Sequence, residues 1–241
     1  MQIITVAVQK GGTGKTTTAA TLSRAAALCG KKTLALDLDP QGNLTFTLGA
    51  KPLKGNTSFD LITGNGATPQ TLSDNLDIIP AAWELATLKT EPGSARRLQR
   101  AIKPFTKHYD FIFIDTPTIA GELQYNALQA STGLIIPLAD DIYNLQSLYQ
   151  MTDTAKRFQQ KSNPDLQILG FIFTQIDTRS TLSRQMQEKL TVLANKNNVP
   201  YLGSVRKGIA IKEAAALQQD LFTYAPKSNP AIDYLEIFKR L

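Results

Sequence analysis

A glycine-rich loop between an apolar strand and a helical segment constrains this chain more than any other feature of its sequence. The loop reads Gln9-Lys10-Gly11-Gly12-Thr13-Gly14-Lys15-Thr16-Thr17. Glycines let the backbone curl so that its N–H groups face phosphate oxygens, and the N-terminus of the following helix adds positive potential. A lysine and a hydroxyl at the end of such a loop suit the β/γ-phosphates and Mg²⁺, respectively. The sequence therefore predicts a phosphate site formed by Gly11, Gly12, Thr13, Gly14, Lys15, Thr16 and Thr17.

Apolar, β-rich runs alternate with helical patterns along the rest of the chain. Candidate strands cover residues 3–8, 33–37, 76–80, 111–115, 133–137, 168–174 and 201–203. Candidate helices cover residues 16–28, 95–106, 144–160, 182–195 and 230–241, and the polar stretch 51–71 is expected to combine short helices and loops. This alternation predicts an α/β fold with a doubly wound, mostly parallel central sheet and helices on both faces. We expect one domain over residues 1–241.

Composition removes several classes of protein. A single cysteine, Cys29, excludes a disulfide framework and a four-cysteine zinc site, and a single histidine, His108, excludes a metal site built on several histidines. No signal peptide or apolar run of about 20 residues is visible. We therefore expect a cytoplasmic protein that does not bind a membrane.

Carboxylates follow two of the predicted strands. Asp37 and Asp39 follow the second strand two positions apart, so on an extended chain both side chains point to the same side. Asp115 ends an unbroken apolar strand, which is the layout of a Walker B segment that holds a Mg²⁺-bound water. Capping of the following helix is the structural alternative for Asp115. At the carboxyl edge of a parallel sheet, such groups can orient water and hydrated Mg²⁺.

The segment from Lys10 to Thr16 resembles the deviant Walker A box of the P-loop family that contains ParA, MinD, the nitrogenase iron protein and ArsA. The stretch Asp37-Leu38-Asp39-Pro40-Gln41-Gly42-Asn43 resembles the first switch segment of the same family. The resemblance implies an ATPase that forms a sandwich homodimer when ATP binds. In that dimer Lys10 reaches the phosphates held by the other subunit, Lys15 serves its own phosphates, and Asp39 orients the attacking water and contributes, with Thr16 and Asp115, to Mg²⁺ binding. An ordinary surface role is the alternative for Lys10.

Within that family the ParA-type branch is the most similar. Thr174-Gln175-Ile176-Asp177-Thr178-Arg179 and the stretch from Val205 to Lys207 resemble its later segments, so the similarity runs nearly end to end. The iron protein needs cluster-ligating cysteines that this chain lacks. ArsA is usually a tandem of two such domains, for which 241 residues are too few. MinD carries a C-terminal amphipathic membrane helix, whereas the segment 231–241 is better explained by docking on the sheet.

Positive charge is concentrated in the last third of the chain. Residues 151–241 hold 13 Lys and Arg against 8 Asp and Glu, and residues 174–212 hold 7 against 2. Such a balance favours sequence-independent, salt-sensitive binding of duplex DNA, with a solvated lysine-rich face as the alternative. The candidate contacts are Arg179, Arg206 and Lys207.

The resemblance predicts an ATPase of DNA partition. Its ATP-bound dimer would bind double-stranded DNA non-specifically and be released when a ParB-type centromere-binding protein stimulates hydrolysis, which implies a nucleoid-associated protein. Because the first strand begins near Ile3, we expect the small form without an N-terminal DNA-binding domain. A MinD-like membrane-cycling ATPase and a protein-cluster-positioning ATPase are the alternatives. A metabolic P-loop kinase is a third, but it leaves Lys10 unexplained.

Overall fold

The strands form one sheet in which nearly all neighbouring strands run parallel. The computed structural model describes residues 1–141 and 143–241, and within these residues the sheet has eight strands in the order β3-β4-β2-β5-β1-β6-β7-β8. The strands are β1 Gln2–Val6, β2 Thr33–Asp37, β3 Gln70–Ser73, β4 Leu76–Ile79, β5 Phe111–Asp115, β6 Gly133–Leu138, β7 Gln167–Ile176 and β8 Tyr201–Arg206. The pair β3–β4 is antiparallel, and the other neighbouring pairs are parallel.

Helices cover both faces of this sheet. They are α1 Lys15–Leu28, α2 Asn43–Thr47, α3 Ser58–Thr63, α4 Arg97–Ala101, α5 Glu122–Ala130, α6 Asn144–Lys161, α7 Thr181–Lys196, α8 Ile209–Ala216, α9 Leu221–Tyr224 and α10 Asn229–Phe238. The buried clusters place α1, α2, α8, α9 and α10 on one face and α3 to α7 on the other. The predicted doubly wound, mostly parallel α/β fold is confirmed.

The core follows from strands that are apolar on both sides. Within β1, Ile3 packs with the α3–α5 side and Ile4 with the α1–α10 side, as the two-residue alternation of a strand requires. All five residues of β5 are buried. Each fully buried Ile, Leu or Phe side chain contributes roughly 1.5–3 kcal/mol, so a sheet covered on both faces is held by many such terms.

Several local predictions were incomplete. The stretch 95–106 is not one helix: two 3-10 turns, Ser94–Arg96 and Lys103–Lys107, flank the short α4. Pro104 lies in the second turn, and a proline cannot donate the hydrogen bond that would continue an α-helix. The edge strand β3 begins at the end of the segment 51–71, which we expected to combine short helices and loops, and the helices α2, α5, α8 and α9 were not predicted.

The register of the central strands brings the site together. β1 lies between β5 and β6, and Val6 and Asp37 are both aligned with Asp115 across the sheet. The loops that follow β1, β2, β5, β7 and β8 therefore meet at one edge, where doubly wound folds bind ligands.

Helix α10 packs against the sheet. Its Ala231, Tyr234, Ile237 and Phe238 are buried together with residues of α1 and β8. The docking role expected for this segment agrees with that packing. Among the helices in the described part of the chain, none is long and apolar enough to cross a membrane.

Candidate active site

The phosphate loop leaves β1 and turns directly into α1. Two of its glycines, Gly12 at φ +73° and Gly14 at φ +84°, lie in the left-handed region that side chains with a Cβ avoid. Helix α1 begins immediately afterwards, at Lys15. A cavity of about 290 Å³ opens here and is lined by Gly12, Thr13, Gly14, Lys15, Thr16, Thr17, Asp39, Asn43, Thr118 and Gln175. The structure thus brings most of the predicted phosphate residues to one cavity, at the N-terminus of a 14-residue helix.

Lys15 lies in the wall of that cavity and is only 7% exposed. Its ammonium donates to the backbone carbonyl of Lys10 at 3.2 Å and to the hydroxyl of Thr118 at 3.0 Å. Burial lowers the pKa of Lys15, and the nearby charges of Asp115 and Asp39 oppose that shift. A buried cation in this position is suited to contacting phosphate oxygens.

The second lysine of the loop is held elsewhere. The Lys10 ammonium lies 2.7 Å from the carboxylate of Asp141 and 5.4 Å from the ring centroid of Tyr143. The Lys10 hydrogen bond is the main reason that the pKa of Asp141 lies below its usual range. Lys10 is absent from the lining of the phosphate cavity in its own chain.

Asp37 is buried and serves the fold. Its carboxylate accepts from the Thr45 backbone N–H at 2.8 Å, the Thr45 hydroxyl at 2.7 Å and the Asp39 N–H at 3.1 Å. Burial raises the pKa of Asp37 to about 6, although these hydrogen bonds favour the charged form. Asp37 thereby ties the end of β2 to α2 and shapes the loop between them. The sequence placed Asp37 and Asp39 on the same side of the chain, and the family resemblance assigned the chemical role to Asp39, with a structural role as the reading for Asp37.

Asp39 instead lines the phosphate cavity and is partly exposed. One of its carboxylate oxygens accepts from the Gln41 N–H at 3.0 Å, which fixes the turn that follows. Asn43, the first residue of α2, lines the same cavity and was quoted in the switch segment without a role. Thr118 was also missed, although it follows Asp115 closely in the sequence.

Asp115 is fully buried at the end of β5. Within the described residues, neither of its carboxylate oxygens accepts a hydrogen bond. Its pKa is raised well above the usual range by burial first and by the charge of Asp37 second, while the neighbouring Thr16 hydroxyl and Lys15 ammonium act in the opposite direction. A buried carboxylate without partners is costly, so a nearby cation is the natural compensation.

These oxygen groups fit Mg²⁺. The carboxylates of Asp115 and Asp39 and the Thr16 hydroxyl are hard oxygen donors, which Mg²⁺ prefers. No group of three or more His, Cys, Asp or Glu side chains forms a protein-only metal cage in residues 1–141 and 143–241. Mg²⁺ is commonly held by one or two carboxylates together with substrate phosphates and water.

A second cavity adjoins the first. It measures about 240 Å³, and Gly14, Thr17 and Gln175 line both cavities. Its remaining walls come from Thr174, Val205, Arg206, Lys207, Gly208, Ile211, Lys212 and Tyr234. Val205, Ile211 and Tyr234 give this recess an apolar part that suits a planar heterocycle, and the basic Arg206, Lys207 and Lys212 stand around it. No base-reading motif is visible in the sequence, because this recess is assembled from α1, β7, β8, α8 and α10.

Two contacts from α10 brace that second cavity. The buried Tyr234 hydroxyl lies 3.0 Å from the Thr18 hydroxyl of α1. The Asp233 carboxylate accepts from the Arg206 guanidinium at 2.6 and 2.9 Å and from the Arg206 backbone N–H at 2.9 Å. Such bidentate pairing holds a guanidinium in one orientation.

The candidate DNA contacts therefore differ in availability. The Arg179 side chain is 90% exposed and pairs with its neighbour Asp177 at 3.3 Å, and Lys207 is exposed. Arg206 is engaged by Asp233 within the chain. All three assignments to DNA stay predictions.

Comparison with known proteins identifies the chains to which this one is similar. Residues 1–168 match the model of the AAA_31 family, which is described as an AAA domain. The chain is similar to the sporulation initiation inhibitor protein Soj of Bacillus subtilis, with 34% identity over 249 residues covering 100% of this chain and 98% of Soj. It is also similar to the chromosome partitioning protein ParA of Caulobacter vibrioides, with 31% identity covering 100% of this chain and 94% of that relative.

Solved structures with nucleotide share the fold. Cobyrinic acid a,c-diamide synthase from Mycobacterium smegmatis, with bound ATP analogue and magnesium, has a TM-score of 0.83 and 31% identity over 99% of this chain and 93% of that one. The septum site-determining protein MinD from Pyrococcus horikoshii, complexed with Mg-ADP, has a TM-score of 0.81 and 27% identity over 99% of this chain and 94% of that one.

Proposed function

The chain belongs to the AAA_31 family, among P-loop ATPases of the ParA/MinD type that use ATP and Mg²⁺, and from this we propose that it acts in DNA partition. In the proposed cycle an ATP-bound homodimer binds duplex DNA without sequence preference. A ParB-type centromere-binding partner then stimulates ATP hydrolysis and releases the dimer from DNA.

Hydrolysis at the proposed site depends on positioning and charge rather than on a covalent intermediate. Water attacks the γ-phosphorus, the bond to the β,γ-bridging oxygen breaks, and ADP and phosphate leave. Loop N–H groups and the Lys15 ammonium contact the phosphates. Asp39 orients the attacking water at the cavity wall. Thr16, Asp39 and Asp115 would hold Mg²⁺, which when bound would neutralise charge on the phosphates.

The observation that carries the dimer-dependent part of the proposal is the position of Lys10. It lies in the phosphate loop next to the catalytic cavity, yet its ammonium contacts Asp141 and contributes nothing to the cavity of its own chain. A lysine that leaves its own site can act on a second subunit, where a cation supplied in trans stabilises the charge of the transition state. Similarity to Soj and ParA over the whole chain supports the partition assignment.

DNA binding is the decisive test. Purified protein is titrated against a fluorescent duplex of arbitrary sequence with ATP, with ADP and without nucleotide, over a series of salt concentrations. We expect binding with ATP only, weakening steeply with salt because phosphate contacts release counterions. Lys15→Ala should abolish it by removing nucleotide binding. Lys207→Ala, compared at saturating ATP because Lys207 also lines the second cavity, should weaken it uniformly across sequences.

A matched control separates specific contacts from net charge. Lys107→Ala removes one exposed lysine from the 3-10 turn after α4, outside the segment 174–212. It should leave the salt dependence unchanged, whereas Lys207→Ala should reduce its slope by about one unit. Robust ATP hydrolysis without DNA binding in any nucleotide state would reject the partition proposal.

A MinD-like membrane cycle is the second candidate, since MinD of Pyrococcus horikoshii shares the fold and 27% of the sequence. The packing of α10 on β8 and α1 favours a docked helix over a membrane-binding one. Pelleting with anionic lipid vesicles in the presence of ATP distinguishes the two, because ATP-dependent co-sedimentation supports the membrane cycle. A protein-cluster-positioning ATPase would bind DNA in the same way but require a different partner.

A further inference from the structure

The end of β7 contacts the phosphate loop through two consecutive side chains. The Thr174 hydroxyl donates to the backbone carbonyl of Thr13 at 2.8 Å. The Gln175 side-chain amide donates to the backbone carbonyl of Gly12 at 2.7 Å. Two neighbouring carbonyls of the loop are thus held by two neighbouring residues of one strand.

The backbone of β7 is distorted where these contacts form. Its pairing with β8 shifts register between Phe173 and Ile176, which frees the two intervening residues from the regular ladder. Gln175 has φ +59°, in the left-handed region that a residue with a long side chain seldom adopts. Such strain persists only where surrounding contacts compensate for it, and it occurs often at functional sites.

The geometry of the peptide bond gives these contacts a consequence for phosphate binding. In a planar trans peptide, a carbonyl and the N–H of the next residue point in opposite directions. Holding the Gly12 carbonyl toward β7 therefore turns the Thr13 N–H away from β7, and holding the Thr13 carbonyl does the same for the Gly14 N–H. Both residues line the phosphate cavity.

We propose that Gln175, together with Thr174, is a positioning residue that orients the Thr13 and Gly14 N–H groups toward the nucleotide phosphates. The amide nitrogen of Gln175 must face Gly12, because a carbonyl oxygen can only accept. This inference rests on ATP binding at the phosphate loop and does not depend on DNA binding or on dimerisation.

Four variants of the full-length chain test the proposal, with the fluorescent nucleotide mant-ADP and Mg²⁺ as the probe and thermal unfolding as a second readout. Gln175→Gly removes both the strained side chain and its hydrogen bond, Gln175→Glu replaces the donor by an acceptor, and Gln175→Lys restores a donor. Gln218→Gly is the control, since Gln218 is also exposed and left-handed, at φ +55°, but lies in the turn after α8.

We expect Gln175→Gly to weaken mant-ADP binding about 3- to 10-fold, the usual size of one lost hydrogen bond, while its Tm changes no more than that of Gln218→Gly. Gln175→Glu should lose more affinity, because two acceptors face each other and a negative charge is added near the phosphates. Gln175→Lys should recover binding to within about threefold of the wild type.

A purely structural role would give a different pattern. Affinity would then fall only in variants whose Tm falls, and Gln175→Lys would be no better than Gln175→Glu. Unchanged mant-ADP affinity in Gln175→Gly would also overturn the proposal. Because mant-ADP binding needs neither DNA nor a partner protein, these outcomes are independent of the test of the partition function.

Discussion

The Lys10 ammonium and the Asp141 carboxylate form an ion pair of 2.7 Å that connects the phosphate loop to the segment after β6. The Tyr143 ring lies on the same ammonium, 5.4 Å away. If Lys10 acts on the second subunit of a dimer, this pair has to open when the dimer forms. The pair then competes with dimerisation, and its two members should respond in opposite ways to mutation.

Lys10→Ala should lower the turnover number of ATP hydrolysis by about 10³-fold or more, since a cation supplied in trans contributes on that scale.

Asp141→Asn should instead favour the ATP-bound dimer by up to about fivefold, because a partly exposed ion pair contributes about 0–1 kcal/mol. Turnover measured against protein concentration, and dimerisation followed by light scattering with a non-hydrolysable ATP analogue, provide the readouts. Weaker dimerisation of Asp141→Asn would contradict the competition, and mant-ADP affinity should stay unchanged in both variants.

Asp115→Asn should have two effects of opposite sign. Replacing a buried carboxylate that lacks hydrogen-bond partners by a neutral amide should raise Tm in the absence of Mg²⁺, by about 2–4 °C for each kcal/mol gained. The same change should weaken Mg²⁺ binding in the presence of ADP about 10- to 100-fold, as expected for a group that supports a metal ion. Calorimetric Mg²⁺ titration and thermal unfolding check the two parts. A variant that is less stable without Mg²⁺ would show that Asp115 has partners in solution.

Asp37 should make folding stability depend on pH in a defined direction. Burial raises its pKa from 3.8 to about 6, so between these values the folded chain binds the proton more tightly than the unfolded chain. The free energy of unfolding should therefore decrease as pH rises from about 4 to 6, by at most about 1.4 kcal/mol per pH unit from this group. Asp37→Asn should flatten that slope in Mg²⁺-free urea titrations at pH 4.5, 5.5 and 6.5.

The exposed Asp165→Asn is the control for this experiment, because it removes one carboxylate without touching the site. It should keep the wild-type slope. Equal slopes in Asp37→Asn and Asp165→Asn would mean that Asp37 does not cause the pH dependence.

Asp233→Asn separates two roles for Arg206. The variant breaks the bidentate ion pair but keeps the guanidinium and adds one unit of net positive charge. If Arg206 mainly holds the wall of the second cavity, mant-ADP affinity should fall severalfold, since one partner of a charged hydrogen bond is lost. If Arg206 contacts DNA, duplex affinity at constant ATP saturation should rise instead. Measuring both affinities on one preparation decides between these outcomes.

The elements with a strong local pattern could be predicted from the sequence. β2 and β5 have the predicted bounds, and α1 begins within one residue of its predicted start, because unbroken apolar runs and a helix behind a glycine loop leave few alternatives. Helix α5 was missed because Gln124, Asn126 and Gln129 read as surface residues, yet all three are buried. Asn126, for example, pairs with Glu122 at 2.8 Å, and such pairing cannot be seen in a pattern of hydrophobicity.

The candidate site likewise has one part that could be predicted from the sequence and one part that could not. The phosphate loop is a contiguous motif and was predicted residue by residue, whereas the second cavity is assembled from five elements that are distant in sequence. The ion pair between Arg206 and Asp233 also joins positions that only the packing of α10 on β8 brings together. The sequence therefore assigned Arg206 to DNA from the local positive charge and the resemblance to ParA-type proteins, without the contact to Asp233.

The contact between Thr18 and Tyr234 spans 216 positions of the chain. The phosphate loop and the first turns of α1 leave the ribosome early, but the wall that α10 adds to the second cavity cannot form until residue 234 has been translated and has passed the exit tunnel. A nascent chain with a finished phosphate loop should thus lack a complete second cavity. Nucleotide binding would then begin as a late event of synthesis and would mark the chains in which the whole sheet has been covered.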